Sequence, residues 1–235
     1  MFLRLKKNFP FEIVEKHEQI FYINYLREGM TVFDVGANIG ELTLLFSKFV
    51  TRGGIVHSFE PTPQTFEKLK SITSLASKKN VQLNQVAVSK NDGFINFNVY
   101  KEEFSSWNTS AFRPLEKYGI DLKPEDSISV PSITIDTYCL KNKIDRIDLL
   151  KIDVEGAELD VLDGAKKMFQ EQKINCCVFE FGQTIYDMGR SADDLKKFFK
   201  DVNYSVTNIV QNQILYPVDK ETGVAQFAIH VAKPK

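Results

Sequence analysis

The segment Thr31-Val-Phe-Asp-Val-Gly-Ala-Asn-Ile-Gly-Glu41 constrains this chain most, because an apolar run closing on Asp-x-Gly-x-x-x-Gly is a buried strand, a glycine turn and a helix start in eleven residues. Val32, Phe33 and Val35 make the strand. Leu42, Leu44, Leu45, Phe46 and Phe49 give the following helix its apolar surface. Gly36 and Gly40 let the backbone take φ > 0 and let a ligand approach, so the helix N-terminus can face a bound group. Such an element cradles nucleotides.

Strand and helix signals alternate through the rest of the chain, the pattern of a largely parallel sheet with helices on both faces. Glu12 to Glu28 reads as a leading helix closed by Gly29, followed by a strand at Val32–Val35 and a helix over Glu41–Val50. Ile55–Phe59 is the second strand. Thr62 and Pro63 then open a helix carrying Phe66, Leu69 and Ile72. Val81–Val88 is expected as a third strand, joined through Lys90-Asn-Asp-Gly93 to an inserted hairpin at Phe94–Tyr100. Periodicity is lost over Lys101–Asp126, a length of irregular chain that compact domains reserve for binding or covering something. Order returns at Ile128–Ile135, and Ile147–Asp153 is apolar enough for a central strand. A helix from about Glu158, a buried strand at Cys176–Phe181 and a capping box at Ser191-Ala-Asp-Asp194 follow. Tyr204–Val210 and Val224–Ala232 are expected to close the sheet edge as an antiparallel hairpin.

At 235 residues the chain fits a helical lead-in over 1–30 and one α/β domain over 31–235, with 101–126 as an insertion at the acceptor site. Thirty basic residues balance thirty-one acidic ones, so no global charge points to a nucleic-acid partner. The start, Met1 to Phe9, lacks the continuous apolar core of a signal peptide, and no run is long enough to span a bilayer. Cys139, Cys176 and Cys177 form no metal spacing and no even disulfide framework, which favours a reducing cytoplasm. The Asn-x-Ser matches at Asn108 and Asn203 carry no functional weight without a secretory signal.

Chemistry-bearing residues fall at strand ends, where open α/β sheets bind ligands. Asp34 ends the first strand and can accept hydrogen bonds from a cationic or hydroxylated ligand. The turn after it lacks the Gly-x-Gly-x-x-Gly of dinucleotide dehydrogenases, which weakens a hydride-transfer reading. Ile55-Val-His-Ser-Phe-Glu-Pro61 places Glu60 at the end of the next strand, about twenty residues past the first turn, where it can accept both ribose hydroxyls. A diphosphate would prefer donors or cations to this acid, so a sulfonium and amino-acid ligand fits better. Asp153 and Glu155 are close enough to converge on one pocket, and Gly156 allows the turn into the next helix. Glu158 falls in that helix's first turn, where a structural role is expected, and Lys151 is placed to pair with an acid or touch substrate. Glu180 ends another central strand near the same edge. His17, His57 and His230 all sit where a structural histidine is the better expectation.

Taken in order, Phe33-Asp-Val-Gly-Ala-Asn-Ile-Gly40, Phe59-Glu-Pro61, Val86-Ala-Val-Ser89, Ile133-Thr-Ile-Asp136, Leu150-Lys-Ile-Asp-Val-Glu-Gly-Ala-Glu158 and Leu162-Asp-Gly-Ala165 resemble the FkbM family of methyltransferases from about Thr31 to Phe181. The resemblance implies a class I S-adenosylmethionine-dependent methyltransferase fold: a Rossmann-like, seven-stranded, mostly parallel sheet with an antiparallel terminal hairpin. It implies that Asp34, Gly36, Asn38 and Gly40 hold the methionine part of the cofactor, that Glu60 holds its ribose, and that Gln85–Ala87 flanks adenine. O-methylation of a hydroxyl on a sugar, glycan or natural product follows, with Asp153, Glu155 or Glu180 accepting the proton. Trp107, Asn108 and Arg113 in the irregular segment are expected to line or cover the acceptor pocket. No resident metal is expected in this reading. Three competitors stand beside it: Mg²⁺ assistance through Asp153, Glu155 and Glu180, a nonenzymatic binding module on the same fold, and an NAD-dependent oxidoreductase.

Overall fold

The computed structural model describes residues 11–101, 108–110, 114–119 and 121–235. A seven-stranded sheet forms the centre, ordered β3 (Val81–Asn84), β2 (Ile55–Phe59), β1 (Thr31–Val35), β7 (Leu149–Ile152), β8 (Cys177–Phe181), β10 (Ala228–Pro234) and β9 (Tyr204–Asn208). The first five are parallel neighbours; β10 runs antiparallel to both β8 and β9. Because side chains alternate across a strand, each central strand feeds two cores. Val32, Val56, Leu149, Val178 and Val231 pack with Tyr22 of α1 (Phe11–Tyr25), Leu26 just beyond its end, and Phe46 of α2 (Glu41–Phe49). Phe33, Phe59, Leu150, Ile152 and Phe179 pack on the opposite face with Tyr138, Leu162, Phe169 and Phe199. That second face is covered by α4 (Ile135–Asn142), α5 (Glu158–Asp163), α6 (Lys166–Gln170) and α8 (Ala192–Asp201).

Four expectations change. The strand expected over Val81–Val88 is two strands in different sheets. After β3 pairs with β2, the chain leaves the central sheet, and β4 (Ala87–Val88) pairs in parallel with β6 (Asp126–Ile133). The expected hairpin partner of β5 (Gly93–Val99) is likewise β6, antiparallel, so β4, β6 and β5 make a separate sheet around Ala87, Phe97 and Val130. Strand character also ends at Ile133, where Thr134 caps α4 by accepting from Thr137 N–H at 3.0 Å. The helix after Glu158 breaks into α5 and α6 around Gly164, where the chain packs so closely that a Cβ would stand 2.1 Å from the Ser89 carbonyl oxygen. The expected antiparallel hairpin at the sheet edge is present, with β10 inside and β9 as the edge strand.

The remaining elements are α3 (Pro63–Leu75) after β2 and α7 (Gln183–Asp187) after β8, and the Ser191–Asp194 capping box opens α8 as expected. No helix among the described residues is long and apolar enough to cross a membrane.

Candidate active site

Parallel order places the carboxyl ends of β2, β1, β7 and β8 side by side along one edge, and the acids at those ends meet there. Asp34 and Lys151 are register partners on β1 and β7. Asp34 is fully buried: Thr43 Oγ1 donates to Oδ2 at 2.6 Å, and Lys151 Nζ stands 3.4 Å from Oδ1. The same ammonium donates to the Gly36 carbonyl at 3.0 Å and lies 3.5 Å from Asp153 Oδ2. Burial alone would drive Lys151 towards neutrality, but Asp153, Asp34 and Glu18 outweigh it and hold its pKa above the ordinary lysine value.

Gly36, at φ 76°, is required for a reason other than the expected approach of a ligand. A Cβ there would stand 1.8 Å from the Asp153 carbonyl oxygen, so the glycine admits the neighbouring strand end. The turn's amides are spent inside the protein. Gly36 and Ala37 N–H donate to the Phe59 carbonyl, Asn38 N–H to Glu60 Oε2 and Gly40 N–H to the Ala37 carbonyl. An open nest of donors for a diphosphate is therefore missing from these four residues, which removes the physical basis of the dinucleotide reading.

Glu60 is 6% exposed and turned into the site. Its Oε2 accepts from Asn38 N–H at 3.1 Å, while Oε1 accepts from Thr62 N–H at 3.0 Å and Thr62 Oγ1 at 2.5 Å. Thr62 does occupy the cap position of α3, but its hydroxyl serves Glu60 and makes no cap bond. Burial raises the Glu60 pKa against the opposing pull of these donors and Lys151.

Beyond β7, Glu155 takes φ 55° and the chain turns sharply into α5. Glu158 holds that turn: its Oε1 accepts from Gly156 N–H at 3.1 Å and Val154 N–H at 3.3 Å. Burial pushes its carboxyl up to about 7. Glu180, half-buried on β8, is pushed well above the carboxylate range by burial and then by Asp153, Glu155 and Glu158. Among the described residues, no group of three or more His, Cys, Asp or Glu is arranged to hold a metal ion.

These groups border one cavity of about 390 Å³. Gly36, Asn38, Glu60, Ala87, Asn108, Asp153, Glu155 and Glu180 all line it, and Val86, Ile95, Phe97 and Leu115 give it an apolar wall. Asp34 and Gly40 are not on its wall; they stand beneath the turn. Asn108 is tied in place by accepting from Tyr100 N–H at 2.9 Å. Trp107 and Arg113 lie outside the described residues. His57 and His230 are buried and do not line the cavity, their pKa values pulled down to about 4 and about 3 by burial.

Among the wall residues that the sequence reading missed, Glu18 is the one tied most closely to the acidic centre. Glu18 of α1 lines the cavity, its Oε1 accepting from the fully buried Tyr22 hydroxyl at 2.7 Å. Burial raises its carboxyl to about 7, with Asp153 and Asp34 adding to the rise and Tyr22 and Lys151 opposing it. The Glu18–Tyr22 spacing is visible in the sequence, but four-residue spacing marks any helical pair and says nothing about a cavity.

Comparison with known proteins places these features in a family. The model of the methyltransferase FkbM domain matches residues 34–206. A Streptomyces tacrolimicus protein named 31-O-demethyl-FK506 methyltransferase FkbM is 31% identical over 161 residues, which cover 60% of this chain and 61% of that one. The hexuronic acid methyltransferase AglP of Haloferax volcanii is 28% identical over 144 residues, covering 61% and 53%. The match thus spans less than two thirds of either relative. The crystal structure of methyltransferase FkbM from Methylobacillus flagellatus superposes with a TM-score of 0.52 at 16% identity, over 91% of this chain and 50% of that one. The sheet order and this likeness are those of the class I methyltransferase fold. With its glycine turn, its Glu60 strand end and its Lys151–Glu158 segment all inside the matched region, the chain belongs to the FkbM methyltransferase family.

Proposed function

We propose that this protein is an S-adenosylmethionine-dependent O-methyltransferase acting on a hydroxyl of a sugar, glycan or natural product. The observation that carries the reading is Glu60: an inward carboxylate, fixed by Asn38 and Thr62, one strand away from a turn whose own amides are already satisfied. That pairing suits a ribose diol and a cationic ligand and repels a diphosphate. Bound S-adenosylmethionine supplies a methyl group on a sulfonium, and its transfer to oxygen leaves a neutral thioether.

The residues present fit that group. Glu60 would hold the ribose hydroxyls, and the buried Asn38 amide oxygen, which has no partner in the protein, is available to the same ligand. Val86 and Ala87 would flank the adenine from the apolar wall. Gly36 would face the methionyl part, with Asp34 and Gly40 acting from beneath by fixing Lys151 and shaping the turn. Asp153, Glu155 and Glu180 are the proposed catalytic carboxylates. An ionised member of the three would take the acceptor's proton.

Asn108 on the cavity wall supports an acceptor-binding role for the segment that also carries Trp107 and Arg113. The acceptor class is supported by the names of the relatives, one a 31-O-demethyl-FK506 methyltransferase and one a hexuronic acid methyltransferase. Three free, buried cysteines accord with a reducing cytoplasm. Two measurements test the reading. Calorimetry should detect saturable binding of S-adenosylhomocysteine and none of NADH; the reverse result would sink it. Mass spectrometry of hydroxylated metabolites and glycans incubated with methyl-labelled cofactor should then reveal the acceptor.

A further inference from the structure

Helix α1 lies outside the segment that matches the family, yet it reaches the cavity. Its Glu18 carboxylate is not a solvated surface group. The hydroxyl of Tyr22, itself sealed in the core, fixes one oxygen, and the side chain borders the same space as Gly36, Lys151 and Asp153. Across the sheet, Glu60 ends β2 on one side of β1, and Lys151 and Asp153 stand at β7 on the other. Two strand spacings, about 10 Å, separate those ends. A ligand whose ribose lies on Glu60 therefore carries its amino-acid tail towards Lys151, Asp153 and Glu18. A buried ammonium flanked by carboxylates is complementary to a zwitterion.

Resting on the cofactor reading above, we propose that Glu18 binds the α-ammonium group of the cofactor's methionyl part, making α1 a component of the cofactor site. Among the described residues, the groups acting on Glu18 include Tyr22 on its own helix, Asp34 on β1, and Lys151 and Asp153 at β7, and Glu15, one turn back on α1, lines the same cavity. Burial and the two aspartates oppose its ionisation, and an arriving cation relieves that opposition. Binding through Glu18 below neutrality must therefore expel a proton, and affinity rises as pH rises through about 7.

The test is calorimetry of wild type and Glu18→Gln with two ligands: S-adenosylhomocysteine, and 5′-methylthioadenosine, which lacks the amino-acid part. Glutamine still accepts from Tyr22, so the helix keeps its anchor. At about pH 8, S-adenosylhomocysteine should lose roughly ten- to a hundredfold in affinity while methylthioadenosine changes by less than about twofold. The wild-type advantage should shrink towards unity by about pH 5.5, where Glu18 is protonated. An unchanged affinity for S-adenosylhomocysteine, an equal loss for both ligands, or an advantage independent of pH would overturn the assignment. If the wild type binds neither ligand, the cofactor reading falls and takes this assignment with it; binding by the wild type with an unaffected variant removes only Glu18.

Discussion

Lys151 and Asp34 are register partners on adjacent parallel strands, and their side chains meet on one face of the sheet with Nζ 3.4 Å from Oδ1. Both are buried, at 4% and 0% exposure. The pair joins the glycine turn to the acidic strand end, because the same ammonium also reaches the Gly36 carbonyl and Asp153.

Removing one member should therefore cost more than removing both. Lys151→Met leaves Asp34 buried beside a hydrocarbon and is expected to lower unfolding free energy by roughly 3–5 kcal/mol. Adding Asp34→Asn should restore part of that loss. Denaturant titrations of the single and double variants measure it, and a double variant less stable than the single would contradict the pairing.

Replacing Glu60 by alanine should weaken S-adenosylhomocysteine binding by roughly 1–3 kcal/mol through lost charged hydrogen bonds. Affinity equal to wild type would refute the ribose assignment.

Gly36→Ala places a Cβ 1.8 Å from the Asp153 carbonyl oxygen at a left-handed φ. The expected cost is roughly 2–5 kcal/mol, from backbone strain and overpacking together. A melting temperature unchanged by this substitution would show that the two strand ends can part cheaply.

Stability should also depend on pH through Glu158, whose folded carboxyl is raised from 4.5 to about 7. A group raised on folding contributes stability that is fully present below its unfolded value and lost as pH rises through its folded value. Between about pH 4.5 and 7, Glu158→Gln should therefore flatten the fall in unfolding free energy by about 3 kcal/mol. Parallel curves for the two proteins would place the titration elsewhere.

The parallel framework was legible because its strands are short apolar runs closed by turn residues, from Val32–Val35 to Cys177–Phe181. Register and partner choice were not. Nothing local in Val81–Val88 says that the chain changes sheets, since that depends on β6, forty residues on in the sequence and unpaired in any local reading. Similarly, Ile135 continues an apolar run, and only the Thr134 cap converts it to a helix. At the site, Glu60, Asp153 and Glu180 could be brought together on paper because strand ends share an edge. Glu18 could not, because its place depends on how α1 lies across the sheet. Nor does a strand-end position reveal that Asp34 is buried and bonded to Thr43 and Lys151 inside the protein.

The position of β10 has a consequence for biosynthesis. Translation delivers β8 well before β10, yet β10 is the neighbour that pairs along one side of β8 and carries β9 on its far side. Until residues 228–234 emerge, the nascent sheet presents Cys177–Phe181 as an open apolar edge, and the Ile229 part of the cavity wall does not yet exist. One strand thus both completes the cavity wall and covers the β8 edge, so the two form together.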